Sequence, residues 1–232
     1  MNKTPQKTKV NKYSRSENVR RMKYFIVIIV EGDVAEPSYF GMIEERFKNS
    51  IKLKIIPSQK KSSPKNLLET ARKERREYSD SGSEKKPESI WIVCDVDLHK
   101  NFQPIIKEAQ NDGFKVAISN PCFEVWLFQH LAEIKIEKGL TTFCKDDQIL
   151  LEIDNSKKPN RDLSKKVKKV LDEVRSKKGP QKYEVVYFDK IDDAVKKAKK
   201  NLKNVQEKDF LLEPKHIGQT RIGQLIFEIK NI

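Results

Sequence analysis

The sequence predicts an α/β protein: a mostly parallel four-stranded sheet flanked by helices, followed by a basic, mainly helical C-terminal extension. Two observations carry this expectation. Short, continuous apolar runs alternate with amphipathic segments over the first 135 or so residues, the pattern of βαβ units whose strands are buried on both faces. Beyond about residue 150 the apolar residues recur instead at helical spacing among many lysines.

Residues 1–22 are polar and basic without periodicity and read as a flexible tail. Phe25 to Val30 is the first buried strand. A helix over Pro37 to Lys48 follows, with Tyr39, Phe40, Ile43 and Phe47 on one face. Ile51 to Ile56 is a β-branched strand closed by Pro57, and Pro64 opens a charged helix to about Tyr78 with a stripe of Leu67, Leu68 and Ala71. Ile90 to Asp95 is the third strand. Pro104 to Asn111 is a helix stopped by Asp112 and Gly113, and Lys115 to Ser119 is the fourth strand. An apolar helix is expected from Cys122 to about Ile134. In the second half, Leu163, Val167, Val170, Leu171 and Val174 mark one basic amphipathic helix. Ile191, Ala194, Val195, Ala198, Leu202 and Val205 mark another; Tyr183 to Phe188 is strand-like, and Ile222 to Ile229 is a final apolar segment. The expected organisation is thus a tail (1–22), a sheet domain (23–150) and a basic helical region (151–232) packed on it.

The 48 basic residues exceed the 34 acidic ones, giving +14 and a pI near 9.5. Such an excess points to a polyanionic partner, DNA or RNA, because neutralising phosphates releases counterions. Cys94, Cys122 and Cys144 show neither a CxxC pair nor regular spacing, so no disulfide framework or zinc site is indicated and a reducing, cytoplasmic setting is expected. The apolar run Tyr24–Val30 is far shorter than a membrane span, and Glu31, Gly32 and Asp33 follow it without a cleavage signal, so no membrane association is expected. Neither GxxxxGK[ST] nor a GxGxxG after the first strand is present, which excludes a P-loop ATPase and a dinucleotide fold.

The chemistry lies in carboxylates at strand ends, where ligands bind in such sheets. Glu31 ends the first strand; Asp95 and Asp97 end the third and, two residues apart in extended chain, point to one side. With the first and third strands adjacent, Glu31 joins them. Three crowded carboxylates repel unless a hard cation sits among them, and Mg2+ or Mn2+ suits oxygen donors and water. Gly32 permits a tight turn behind Glu31. Glu124 sits in an otherwise apolar helix, where a carboxylate is costly unless paired or metal-bound. Glu36 is a neighbouring candidate, while Ser119 and Asn120 share the fourth strand's end and could meet a phosphate. His99 is a candidate proton donor, and His130 is expected to pack on its own helix.

Three segments, Val30-Glu31-Gly32-Asp33-Val34-Ala35-Glu36-Pro37-Ser38-Tyr39-Phe40, Cys94-Asp95-Val96-Asp97 and Ser119-Asn120-Pro121-Cys122-Phe123-Glu124-Val125-Trp126-Leu127, resemble the RloB family, over about residues 24–135. That family resembles the Toprim domains of topoisomerases, primases and OLD-type nucleases. The resemblance implies a Toprim-like fold, Glu31 as general acid/base or metal ligand, Asp95 and Asp97 as metal ligands, and Glu124 at the same site. It further implies nuclease activity in a restriction-linked or anti-phage system, often beside an ATPase partner. Another Toprim phosphoryl or nucleotidyl transfer, or a non-enzymatic subunit binding nucleic acid or an ATPase, are the alternatives.

Overall fold

In a computed structural model, residues 23–58, 63–80, 86–96, 102–156, 161–176, 187, 189–203, 205, 211 and 213–232 are described. The expected strands form one four-stranded sheet: β1 (Tyr24–Val30), β2 (Ile51–Pro57), β3 (Ser89–Asp95) and β4 (Lys115–Ser119). The order is β2-β1-β3-β4 and every pairing is parallel. The first strand therefore lies beside the third, with Val30 opposite Val93, as the acid-cluster reasoning required.

Each β1 residue from Phe25 to Val30 is buried, and side-chain alternation sends them to two cores. Ile26, Ile28 and Val30 belong to one core; Phe25, Val27 and Ile29 belong to the other. The second core is closed by α2 (Pro64–Asp80), through Leu67, Leu68 and Ala71, and by α3 (Phe102–Asn111), through Phe102, Ile106 and Ala109. The first core receives α1 (Ala35–Arg46) and α4 (Glu124–Leu131). It also receives α5 (Arg161–Ser176), α6 (Ile191–Asn201) and α7 (Ile222–Lys230) of the C-terminal region. The apolar stripe Leu163, Val167, Val170, Leu171 and Val174 is buried there as its spacing dictates.

Two expectations change. The helix projected to Ile134 ends at Leu131, with Ala132 extended at its C-cap. From there a three-stranded antiparallel sheet runs through β5 (Glu133–Glu137), β6 (Leu140–Lys145) and β7 (Gln148–Asp154). Its two-residue turns, Lys138-Gly139 and Asp146-Asp147, have φ values of 47°, 80°, 49° and 61°. Positive φ at both central residues is what a tight hairpin turn demands of the right-handed strand twist. The final apolar segment is helical (α7). The expected tail (1–22) and most of the strand-like stretch Tyr183–Phe188 lie outside the described residues.

The chain between α6 and α7 returns to the main sheet. Thr220 bridges Ser119 in antiparallel fashion, the Asn120 amide donates to the Gln219 carbonyl at 2.9 Å, and the Gly218 amide donates to the Asn120 carbonyl at 2.8 Å. Gly218 has φ +86°, and a β-carbon there would stand 2.7 Å from Thr141 Cγ2 and 2.8 Å from Ile134 Cγ2, so only glycine lets this strap lie against the small sheet.

His130 packs on its own helix, as expected, in the core between α4 and α1. Its Nδ1 lies 3.0 Å from the Trp126 carbonyl, which only accepts, so Nδ1 donates; Nε2 then accepts from the Tyr39 hydroxyl at 3.2 Å. Burial pulls its pKa down from 6.5 to about 4. The folded form thus resists a proton that the unfolded chain accepts, so this stability is complete above pH 6.5 and is lost as pH falls toward 4. The expected loss is about 3 kcal/mol at most. An imidazole NMR titration should show His130 neutral at pH 5.5; an ordinary titration near 6.5 would contradict this environment.

Candidate functional site

Three strands buried on both faces stop together at the carboxyl edge, and there the acids emerge. Glu31 follows Val30, and a Glu31 carboxylate oxygen accepts the Asp95 backbone amide at 3.1 Å. This contact ties the end of β1 to the end of β3. Asp95 in turn stands opposite Ser119 in the β3–β4 register. Glu31 and Asp95 are both partly exposed.

Behind Glu31 the chain turns at Gly32, whose amide donates to Glu36 Oε1 at 3.1 Å. A β-carbon at residue 32 would fall on the Glu36 carboxylate and displace it from this contact. The helix begins at Ala35, which puts Glu36 in its first turn, 6% exposed. Burial raises the Glu36 pKa above the ordinary carboxylate range, and the charges of Glu124 and Glu31 push the same way against two backbone hydrogen bonds. Glu31, Glu36 and Glu124 therefore share one field.

Glu124 is the first residue of α4, with its side chain 14% exposed. Its partner comes from the C-terminal region: Lys168 Nζ on α5 lies 3.5 Å from Glu124 Oε1. Burial pulls the Lys168 pKa down, but Glu124, the Cys122 position and Asp95 outweigh it, so the ammonium holds its proton more firmly than an ordinary lysine. Lys168 thus lies in the field of two acids from different elements. Nothing in the lysine-rich pattern of α5 separates it from Lys165, Lys166 and Lys169, which are exposed as it is; its contact with Glu124 comes from how α5 packs against α4.

Ser119 and Asn120 serve differently from the phosphate contacts expected of them. The Ser119 hydroxyl shares a 2.8 Å hydrogen bond with Thr220, and the Asn120 amide nitrogen donates to the Leu211 carbonyl at 2.5 Å. Both are fully buried and lock the strap that follows α6 onto β4. Asp97 and His99 lie outside the described residues. Among the described residues no three His, Cys, Asp or Glu side chains converge closely enough to hold an ion. The donor set is nonetheless all carboxylate, the chemistry that Mg2+ and Mn2+ prefer, and it lies where the third strand leads into Asp97.

The fold and this edge define an α/β protein with acids gathered at the carboxyl ends of a parallel sheet, the arrangement expected of a Toprim-like fold. A family model described as RloB-like protein matches residues 26–229, and the chain belongs to the RloB-like family. Comparison with curated proteins gave no match, and neither did comparison with solved structures. No helix among the described residues is long and apolar enough to cross a membrane.

Glu36→Gln keeps an oxygen to accept the Gly32 amide and removes a buried charge facing Glu31 and Glu124. Because the raised pKa makes ionised Glu36 a cost that grows as pH rises past 4.5, the variant should melt higher than the parent at pH 7. That advantage should shrink as the pH approaches 4.5. Paired thermal melts across this range check it; a lower Tm at pH 7 would show that the ionised carboxylate supports the fold.

Proposed function

We propose that this protein is a divalent-cation-dependent nuclease of the Toprim type, acting on DNA or RNA phosphodiesters in a restriction-linked or anti-phage system. The observations that support it most are the backbone hydrogen bond that ties Glu31 to Asp95 at the sheet's carboxyl edge and the pairing of Glu124 with Lys168, which also lies in the field of Asp95. The family membership supports the defence setting, and a nearby-encoded ATPase is the partner proposed with it.

Glu31, Asp95, Asp97 and Glu124 would hold Mg2+ or Mn2+. A cation so held supplies charge neutralisation at a phosphate and acidifies water for attack. The chain's own groups prepare the rest. The Asp95 amide fixes the Glu31 carboxylate, and the Gly32–Glu36 contact fixes the turn behind it. Lys168, a firmly protonated cation beside Glu124, would meet a nonbridging phosphate oxygen once substrate displaces that contact. Exposed Lys165, Lys166 and Lys169 continue the basic face of α5 outward, where phosphates can be gripped without reading sequence.

The test is cleavage of supercoiled plasmid and of structured RNA with Mg2+ or Mn2+, with EDTA as control, with and without the neighbouring gene's product. Asp95→Asn and Lys168→Ala should each lower the rate by about 100-fold or more, with circular dichroism unchanged. Lys165→Glu with Lys169→Glu should weaken binding and flatten its salt dependence, each lost contact removing about one unit of slope, with little effect on the rate at saturation. Cleavage that persists in EDTA, or full activity in Asp95→Asn, would contradict the proposal.

A further inference from the structure

A polar cavity lies beside the small sheet. It has a volume of about 350 Å³ and is walled by β5, the last turn of α6 and the 3-10 turn Pro214–His216. Five lysines line it against two glutamates, Glu133 and Glu137. Two of the lysines are committed. Lys197 pairs with Asp193 at 2.7 Å and donates to the Gln129 and Ala132 carbonyls, capping α4, and Lys215 pairs with Glu213. Lys135, Lys200 and Lys203 have no acidic partner within ion-pair distance among the described residues, and all three ammonium-bearing side chains are exposed at the cavity mouth.

The cavity wall holds a buried polar group of a different kind. Gln219, 5% exposed, spends its amide nitrogen on the Asn201 carbonyl at 2.8 Å. Its Oε1 has no partner among the described residues. A buried acceptor without a donor is destabilising, so a bound group whose N–H meets this oxygen after a small turn of the side chain is favoured. A phosphate ion held by the lysines at the mouth is engaged there, whereas a nucleobase attached to it extends further in and offers an N–H. Ile134, Ile136 and Val205 supply apolar wall for a base, and the volume falls in the lower range of small-ligand pockets.

We infer that this cavity is a nucleotide site: Lys135, Lys200 and Lys203 take the phosphate, and Gln219 Oε1 accepts from the base. The ligand chemistry is a phosphate monoester carrying a base with an N–H donor, either free or at a strand's 5′ end. The site is hard-wired to the acid edge, because the Gln219 carbonyl accepts the Asn120 amide at the end of β4 and the next residue, Thr220, holds Ser119. Occupancy there bears directly on the strap that holds β4's end in place.

Calorimetric titration of the full chain tests this without reference to cleavage. The probes are AMP, GMP, CMP, UMP, inorganic phosphate, and a trinucleotide with either a 5′ phosphate or a 5′ hydroxyl. At least one mononucleotide, or the 5′-phosphorylated trinucleotide, should bind at least tenfold more tightly than inorganic phosphate. Binding of a mononucleotide assigns a free nucleotide; preference for the phosphorylated trinucleotide alone assigns a strand end. Lys200→Glu with Lys203→Glu, both surface changes, should weaken that binding at least tenfold. Gln219→Leu should remove the advantage over inorganic phosphate while leaving phosphate itself unchanged. Absence of binding by every probe, or affinities unmoved by the lysine reversal, would overturn the site. So would equal binding of both trinucleotides with none of the mononucleotides, which would make the lysines ordinary polyanion surface.

Discussion

The hydrogen bond from the Asp95 amide to the Glu31 carboxylate marks the constraint on which the molecule is organised. The central strands β1 and β3, covered on both faces, have no room for charge along their length, and Lys52 and Lys54 sit on the edge strand β2. From Ile26 to Val30 and from Ile92 to Cys94 no side chain is more than 1% exposed. Charged groups can stand only where strands stop, and parallel strands stop together. Glu31 and Asp95 are the first residues past those two runs, so the burial that stabilises the sheet also sets the acids side by side. Glu31, the residue after β1, stays partly exposed while the Asp95 amide holds one of its oxygens and so orients its carboxylate.

The C-terminal region completes this edge. Its helices α5, α6 and α7 share a core with α1, α4 and one face of the sheet, so the placement of Lys168 beside Glu124 follows from burial of Val167 and Leu171 in that core. The strap from Gly218 to Arg221 adds a second fastening. It zips along the end of β4 through backbone hydrogen bonds and through the Ser119–Thr220 contact, and Gly218 seats it against the small sheet. Asp95 at the end of β3 and Glu124 of α4 thus share the field of a lysine forty-four residues further along the chain from Glu124.

What could be read from the sequence follows the same physics. Strands β1 to β4 were legible because strands buried on both faces leave continuous apolar runs, and the acids were legible as the residues that end those runs. The β5–β7 sheet was not. Its strands carry Glu133, Lys135 and Glu137 on the exposed side, and its first strand continues the apolar run of α4 through Leu131, Ala132 and Ile134, which hides the boundary. Gly139 and the Asp146-Asp147 pair were the available hints, since glycine and aspartate tolerate positive φ. Ser119 and Asn120 stand at the right strand end but are consumed by the strap, a long-range contact that no local pattern announces. Glu36 sits before a proline and reads as a helix-start acid, which it is; its burial against Gly32 and its proximity to Glu124 depend on how α1 and α4 pack.

The proposed activity requires Glu31, Asp95 and Glu124 to form one divalent-cation site with Asp97. Diffraction from a crystal soaked in Mn2+, recorded at a wavelength where manganese scatters anomalously, tests it most directly. The account predicts an anomalous peak at the carboxyl edge of the sheet, within coordination distance of Asp95 and at least one of Glu31 and Glu124, and its loss in an Asp95→Asn crystal. A well-ordered edge with no peak there at millimolar Mn2+, or a peak bound only by residues elsewhere, would contradict it.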